Sequence, residues 1–409
     1  MSAPSLPDRF DPTEPDLLAG GIPFEQFAEL RHTAPVWWCP QPKNAAGFQD
    51  EGYWVVSRHA DVKDVSVRSK DDFSTYENTA IIRFGEDITR EEIDVQRLIL
   101  LNMDPPEHTK QRAIVSKGFT PRAIAKLEAA LQDRAERIVA EALENGSGDF
   151  VTDVACELPL QAIAELIGVP QEDRDKIFDW SNQMIGYDDP EYDVDGKVAS
   201  AELIGYSWNL AEDRKRCPMD DIVTKLVHAD AEGELLSSEE FGFFVLLLAV
   251  AGNETTRNAI THGMMAFMDN PEQWELYKQT RPRSAVEEIV RYATPIVSFQ
   301  RTAKVDTHIG EQAVRKGDRI GLFYSSANFD PEVFDDPHTF DITRDPNPHL
   351  GFGGLGTHYC LGANLARVEI DLMFKAIADQ MPDIHQVGEA SRLRSAWLNG
   401  IKHLPVAYR

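Results

Sequence analysis

The sequence predicts a mainly α-helical protein with small β-sheets, an α+β class, in one large domain over residues 1–409. Three observations carry this. Apolar residues recur at three- and four-residue spacing through most of the stretch from Pro121 to Thr280, the period of helices that bury one face. Runs suited to strands are few and short, lying at Gly52–Ser57 and again between Ser298 and Phe323. No composition break, Gly/Ser linker, internal repeat or low-complexity tract divides the chain, so a single core is expected.

In chain order, the first 60 or so residues are rich in Pro, Gly and aromatics, with a strand at Gly52–Ser57 and a helical pattern at Arg58–Ser69. Helices are predicted at Pro121–Asn145, Glu157–Gly168, Gln171–Ile185, Lys197–Lys215, Ser237–Asp269 and Pro271–Thr280, each lying between turn signals. Short strands follow at Ser298–Val305, His308–Ile309, Ala313–Val314 and Arg319–Phe323, bounded by Gly, Asp or Lys. A last long helix is expected from Leu361 to Met381, ending before Pro382.

Charge and cysteine usage bound the function. A net charge of −27, from 41 Lys and Arg against 68 Asp and Glu, repels phosphate backbones and anionic headgroups, so neither nucleic acid nor a membrane surface is an expected partner. One stretch reverses the sign: Lys110, Arg112, Lys117, Arg122 and Lys126 fall in a segment with no acid. It reads either as a solvated helix face or as a docking patch for an acidic redox partner. The four cysteines (Cys39, Cys156, Cys217 and Cys360) form no CxxC pair, which argues against a disulfide framework or a zinc site. The longest apolar run, Phe241 to Gly252, has 12 residues against the roughly 20 that span a bilayer. The N-terminal MSAPSLPDRFDPTEPD has neither a basic n-region nor an apolar h-region. A soluble, cytoplasmic enzyme without a membrane anchor is expected.

The chemistry concentrates in a few strings. Cys360 ends the glycine-rich FGGLGTHYC and precedes the predicted helix, where amide donors and the helix dipole stabilise a thiolate. Gly353, Gly354 and Gly356 allow the backbone to turn and to lie close to a flat cofactor. In the long helix, AGNETT at Ala251–Thr256 interrupts an apolar stripe with four consecutive polar residues. Unpartnered burial of a carboxylate and hydroxyls is costly, so these residues are predicted to line a wet cavity. Ala251 and Thr255 share a face, Gly252 leaves room for a flat ligand, and a threonine hydroxyl can bond back to the helix. Glu288 and Arg291 are three apart and can pair, and His108 and Arg112 are four apart on one helix face.

The loop at Phe352–Ala363, the AGNETT string, and Glu288-Ile289-Val290-Arg291 with the later FDITR at Phe340–Arg344 together resemble the cytochrome P450 superfamily. The resemblance implies the cytochrome P450 fold, with haem b held between the long central helix and the cysteine loop. It implies Cys360 as axial ligand, donating electron density that favours O–O cleavage. Thr255 and Glu254 become the proton-delivery pair, and Ala251 and Gly252 lie beside the haem. His108, Arg112, Arg301 and His358 match propionate ligands. Glu288, Arg291 and Arg344 match a fold-locking network on the cysteine side. One departure stands out: Phe352 and Cys360 are one residue further apart than is usual, so an insertion is expected between Phe352 and Gly356.

Within the superfamily, LAVAGNETTRN, FQRTA, FYSSANFD, PNPHLGFGG, HYCLGANLAR and WLNGIKH, with FAELR, APVWW and LNMDPPEH, resemble the actinobacterial steroid side-chain monooxygenases. That implies hydroxylation of the terminal side-chain methyl of cholesterol or cholest-4-en-3-one. The reaction would use O₂ and electrons passed from NAD(P)H through a ferredoxin reductase and a ferredoxin. Phe244, Leu247, Leu248, Val250 and Ala251 would offer apolar contact along the central helix. A cytochrome P450 acting on fatty acids or a macrolide would share every haem motif. A haem-based ligand sensor would need the cysteine loop but not the Glu254–Thr255 pair.

Overall fold

The computed structural model describes residues 5–85, 88–192, 196–219, 222–228 and 235–409. Its longest element is the central helix, Ser238–Asp269, of 32 residues. The start is fixed by reciprocal capping: the Ser237 hydroxyl accepts from the Glu240 amide at 3.1 Å, and the Ser237 amide donates to the Glu240 carboxylate at 2.8 Å. The helix Pro121–Asn145 has proline in its first turn, a Thr120 hydroxyl cap on the Ala123 amide, and Gly146 at φ +75° just beyond its end.

Helices Glu157–Leu166, Arg174–Ile185, Gly196–Arg216, Ser284–Ala293 and Ala363–Gln380 pack around the central helix. It is therefore apolar on most sides rather than along one stripe, and it runs through the largest core, which extends from Leu100 to Tyr408.

A five-stranded sheet flanks this core in the order Val36–Pro40, Gly52–Val56, Arg319–Phe323, Ser298–Ala303, Phe73–Ser74. Only the pair Gly52–Val56 and Arg319–Phe323 is parallel. Near the C-terminus, Ser391–Arg392 pairs antiparallel with Ile401–His403 to form a hairpin, and Pro405–Ala407 pairs with Ser147–Asp149 and His385–Gln386.

Most expected elements are present with shifted ends. The pattern at Arg58–Ser69 becomes an α-helix over His59–Val67 followed by a 3₁₀ turn, and Gln171–Ile185 opens with a 3₁₀ turn before Arg174. The strand predicted to reach Val305 stops at Ala303, where its partner strands end. The helix after the cysteine starts at Ala363 rather than Leu361.

The Glu288 network joins the helix Ser284–Ala293 to the segment 328–347 that precedes the cysteine loop. Arg291 donates to both Glu288 carboxylate oxygens at 2.8 Å, and Arg344 and Asn347 add contacts at 3.2 and 3.0 Å. Arg291 also donates to the carbonyls of Asn328 and Pro337 at 2.9 and 2.8 Å. Both charges of the central pair are completely buried, which is tolerable because each is met by several hydrogen bonds.

Candidate active site

A cavity lies between the central helix and the Cys360 loop. Cys360 lines it and is exposed there. Burial pushes the thiol pKa up, opposed by the amides of Gly362 and Ala363 and by the Arg112 and Arg367 charges. Cys360 thus sits just ahead of the helix N-terminus, with Gly362 as the cap. The loop is pinned by Cys360 N–H to the Phe352 carbonyl at 2.9 Å and by Gly353 N–H to the Leu350 carbonyl at 2.8 Å.

The glycines serve a purpose the sequence does not reveal. A Cβ at Gly354 would stand 2.6 Å from Ser66 Oγ, and one at Gly356 would stand 2.3 Å from the Ser66 carbonyl oxygen. Their smallness admits the helix His59–Val67 behind the loop. Between them Leu355 adopts φ +70° and is 53% exposed, so the extra residue expected before Gly356 emerges as an outward bulge.

His108 and Arg112 from the helix Glu107–Val115, Arg301 from its strand, and His358 all line the same cavity. None of them pairs with a carboxylate among the described residues. Arg112 donates to the Tyr359 carbonyl at 2.5 Å and Arg301 to the Gln300 carbonyl at 2.7 Å, while Arg301 Nε and His108 Nδ1 are buried without a partner. Burial, then Arg112, lowers the His108 pKa to about 4; burial, then Arg301 and His108, holds His358 well below the ordinary imidazole value. The two histidines are therefore neutral at ordinary pH, and the Arg112 and Arg301 charges, met only by carbonyls, leave a positive field in a low-dielectric space that suits an anion. A thiol and a cationic set at the edge of one cavity fit haem b, with its iron and two carboxylates.

On the central helix Thr255 and Thr256 line the cavity. Thr255 Oγ donates back to the Ala251 carbonyl at 2.6 Å, and the helix remains continuous through this turn. The expectation that all four polar residues line one wet cavity needs correction. Asn253 donates to Ser181 at 3.1 Å, and Glu254 is paired with Arg257, which donates to Asn182 at 3.1 Å. Successive helical residues are rotated by about 100°, so 253 and 254 face the helix Arg174–Ile185 while 255 and 256 face the cavity. Burial raises the Glu254 pKa despite Arg257. Gly252 also lines the cavity, but a Cβ there would stand 2.3 Å from Ile163 Cδ1, so its smallness accommodates another wall residue.

Leu247, Leu248, Val250 and Ala251 line the cavity; Phe244 does not. One turn before Leu248 the helix has passed behind Phe119, whose ring forms the wall and meets Phe244 edge-on at 6.5 Å. Other wall residues come from distant segments: Leu100, Leu166, and Phe299 stacked on Trp397 at 6.2 Å. Glu369 is a further cavity residue missed by the sequence reading, with a pKa raised by burial to about 8 and the Thr256 hydroxyl as its hydrogen-bond partner. A signal was available, because Glu369 shares its helix face with Leu365, Leu372 and Met373.

A sequence profile of the cytochrome P450 family matches residues 283–378. A steroid C26-monooxygenase of Rhodococcus jostii (strain RHA1) is 64% identical over 409 residues, covering 100% of this chain and 87% of the relative. A methyl-branched lipid omega-hydroxylase of Mycobacterium tuberculosis (strain H37Rv) is 43% identical, covering 93% of this chain and 90% of the relative. Among solved structures, a Mycobacterium marinum cytochrome P450 in complex with pseudoionone superimposes with a TM-score of 0.89 at 34% identity, covering 99% of this chain and 100% of that one.

Proposed function

The chain belongs to the cytochrome P450 family and is a haem-thiolate monooxygenase; we propose that it hydroxylates the terminal side-chain methyl of cholesterol or cholest-4-en-3-one. The observation that carries this reading is the 64% identity, end to end, with a steroid C26-monooxygenase. A largely apolar cavity wall, in which the thiol, Arg112, Arg301, the two histidines, the two threonines, Glu369, Ser66, Tyr324 and Tyr359 are the polar interruptions, is consistent with a substrate that is hydrocarbon at its reacting end.

Haem b, when bound, supplies the iron at which dioxygen is activated. In this proposal Cys360 would hold the iron, the Arg112 and Arg301 charges would neutralise the propionates, and the neutral imidazoles of His108 and His358 would offer them N–H donors. Thr255 keeps a hydroxyl proton at the cavity edge, shared at rest with the Ala251 carbonyl and offered inward by rotation of its side chain. Glu254 would relay protons behind it: once parted from Arg257 its carboxylate takes up a proton and can pass it toward Thr255. A terminal C–H bond is stronger than its neighbours, so regiochemistry has to come from walls that hold the methyl in place. Leu247, Leu248, Val250 and Ala251 contribute from the central helix, with Phe299 and Trp397 opposite.

The electron donor in this reading is an acidic ferredoxin, reduced by an NAD(P)H-dependent reductase in the cytoplasm. Lys110, Lys117, Arg122 and Lys126 are exposed, while Arg112 reaches in to the loop. Lys63 and Lys70 extend the basic surface beside the exposed side chains of Val67 and Leu355. Opposite charge steers such an encounter, and the two apolar side chains provide a dry centre for it. Among the described residues no helix is long and apolar enough to cross a membrane.

The test is a spectral titration of the holoenzyme with cholest-4-en-3-one, cholesterol and a methyl-branched fatty acid. Turnover with ferredoxin and reductase follows, with the oxygen located by mass spectrometry and NMR. Terminal-methyl hydroxylation of a sterol is expected. Ring or mid-chain hydroxylation, or turnover of the fatty acid alone, would overturn the substrate assignment.

A further inference from the structure

The loop after the helix Arg174–Ile185 is bound to the C-terminal hairpin, residues 391–403, by a chain of polar contacts. The Asp188 carboxylate accepts from the Ala396 amide at 3.3 Å, and the Asp188 carbonyl accepts from Arg394. Asp189 accepts from the Arg394 amide at 2.8 Å and from Lys402 Nζ at 3.0 Å. Glu191 contacts Lys402 Nζ at 2.6 Å and His403 Nε2 at 2.9 Å, and the other ring nitrogen of His403 lies 2.6 Å from Asp149.

The same hairpin carries Trp397 and Leu398, whose inner faces line the cavity. Ile185 and Tyr192, which bracket the loop and do not line the cavity, share an apolar cluster with the cavity residues Trp397, Leu398 and Val250. The loop therefore braces the back of a wall whose front meets the substrate.

His403 is the element that can change state. Each of its ring nitrogens faces a carboxylate, and only the imidazolium has two N–H donors; the neutral ring must present a lone pair to one of them. We propose that Asp149, Asp189, Glu191, Lys402 and His403 form an ionic latch holding the loop Tyr187–Glu191 against the cavity-wall hairpin, and that loss of the His403 proton loosens it and speeds ligand entry and exit.

The sign follows from the neighbours. Glu191, then Asp149, raises the His403 pKa, so the latch is complete below the ordinary imidazole value and is lost as pH rises through the raised one. The remaining members hold their charges in that range, because Asp189 and Glu191 titrate below their usual values and Lys402 above its own. Other charged groups close by are Asp153, which accepts from the Asp149 amide at 3.2 Å, Arg394, paired with Asp16 at 2.6 Å, and Arg392 on the paired strand, which donates to Asn399. Asp188, raised by burial to about 6, sets the lower limit of a clean pH window.

The sterol proposal enters only through one of two probes. Holoenzyme is mixed by stopped flow with econazole, an azole that ligates haem iron whatever the natural substrate, and separately with cholest-4-en-3-one. The pH runs from about 6.5 to about 9, across imidazole titration at a raised pKa. Association and dissociation rates for the azole are expected to rise about threefold to fivefold with pH, the scale of one half-exposed ion pair. His403→Gln should be fast at every pH, and His403→Lys slow at every pH. Glu191→Gln provides a second loosened variant should His403→Gln fold poorly, with the thiolate carbon monoxide band as the check on integrity. Azole rates that keep the wild-type pH dependence in His403→Gln and Glu191→Gln, or a His403→Lys as fast as His403→Gln, would refute the latch. Azole rates that respond while no sterol binds would support the latch and remove the sterol reading alone.

Discussion

Glu254 and Arg257 stand one turn apart on the central helix and form an ion pair closed to solvent, on the side of that helix turned away from the Thr255 hydroxyl. The acid and the alcohol of the proposed proton-delivery pair are adjacent in sequence yet face different neighbours. In the proposed mechanism the pair has to part before Glu254 can pass a proton toward Thr255.

Breaking this pair from one side leaves a buried charge behind. Arg257→Leu should cost about 3–5 kcal/mol in denaturant unfolding, whereas Glu254→Leu combined with Arg257→Leu should recover most of the loss. Strictly additive costs in this double-mutant cycle would show that the two side chains do not act as a pair.

Thr255→Ala removes a hydroxyl that donates to its own helix, at the Ala251 carbonyl, so stability should change by less than about 0.5 kcal/mol. Oxygen use should continue while hydrogen peroxide released per NAD(P)H rises. A peroxide yield equal to wild type would remove Thr255 from proton handling.

Glu369, with a folded pKa of about 8 against an ordinary value of 4.5, binds a proton at neutral pH that the unfolded chain has released. Its contribution to stability is therefore undiminished below the ordinary value and falls as pH rises toward 8. Glu369→Gln should flatten the fall in unfolding free energy between about pH 5 and about pH 8.5, measured against wild type in the same buffers. The same variant should lose a protonated-carboxyl infrared band. Identical pH profiles and spectra would place Glu369 in the charged state.

Cys360→His should abolish the thiolate-type Soret band of the reduced, carbon monoxide-bound protein while leaving some haem bound. Cys39 and Cys156 are buried outside the cavity wall with thiol pKa values pushed up by burial, Cys156 to about 12, and neither can substitute. A thiolate band that survived in the variant would mean that the ligand had been misassigned.

Reversing Lys110 and Lys126 to Glu should weaken ferredoxin association strongly at low salt and much less at high salt, because exposed charges are screened over about 10 Å at 0.1 M. Sterol affinity should be unchanged. Leu355→Ser should weaken association at both salt concentrations if the bulge forms an apolar contact. Salt-independent losses for the charge reversals would place docking elsewhere.

The sequence alone determined a great deal here, because much of this fold is written locally. Helical periodicity located the central helix to within a residue of its start, since the Ser237 and Glu240 cap is chemistry between near neighbours. The Cys360 loop and the Glu288–Arg291 spacing were legible for the same reason, whereas His108, Arg112, Arg301 and His358 stood out through resemblance to a family, and the structure shows that all four line one cavity. Tertiary structure decided what lies across from what. Only packing shows that Gly252, Gly354 and Gly356 make room for Ile163 and Ser66, that Phe244 is screened by Phe119, and that Glu254 turns toward the helix Arg174–Ile185. Likewise only packing brings Glu191 to Lys402 and His403, more than 200 positions along the chain. Helical spacing fixes which residues share a face, whereas the neighbour that face meets depends on how distant segments fill the remaining space, and no local pattern encodes that.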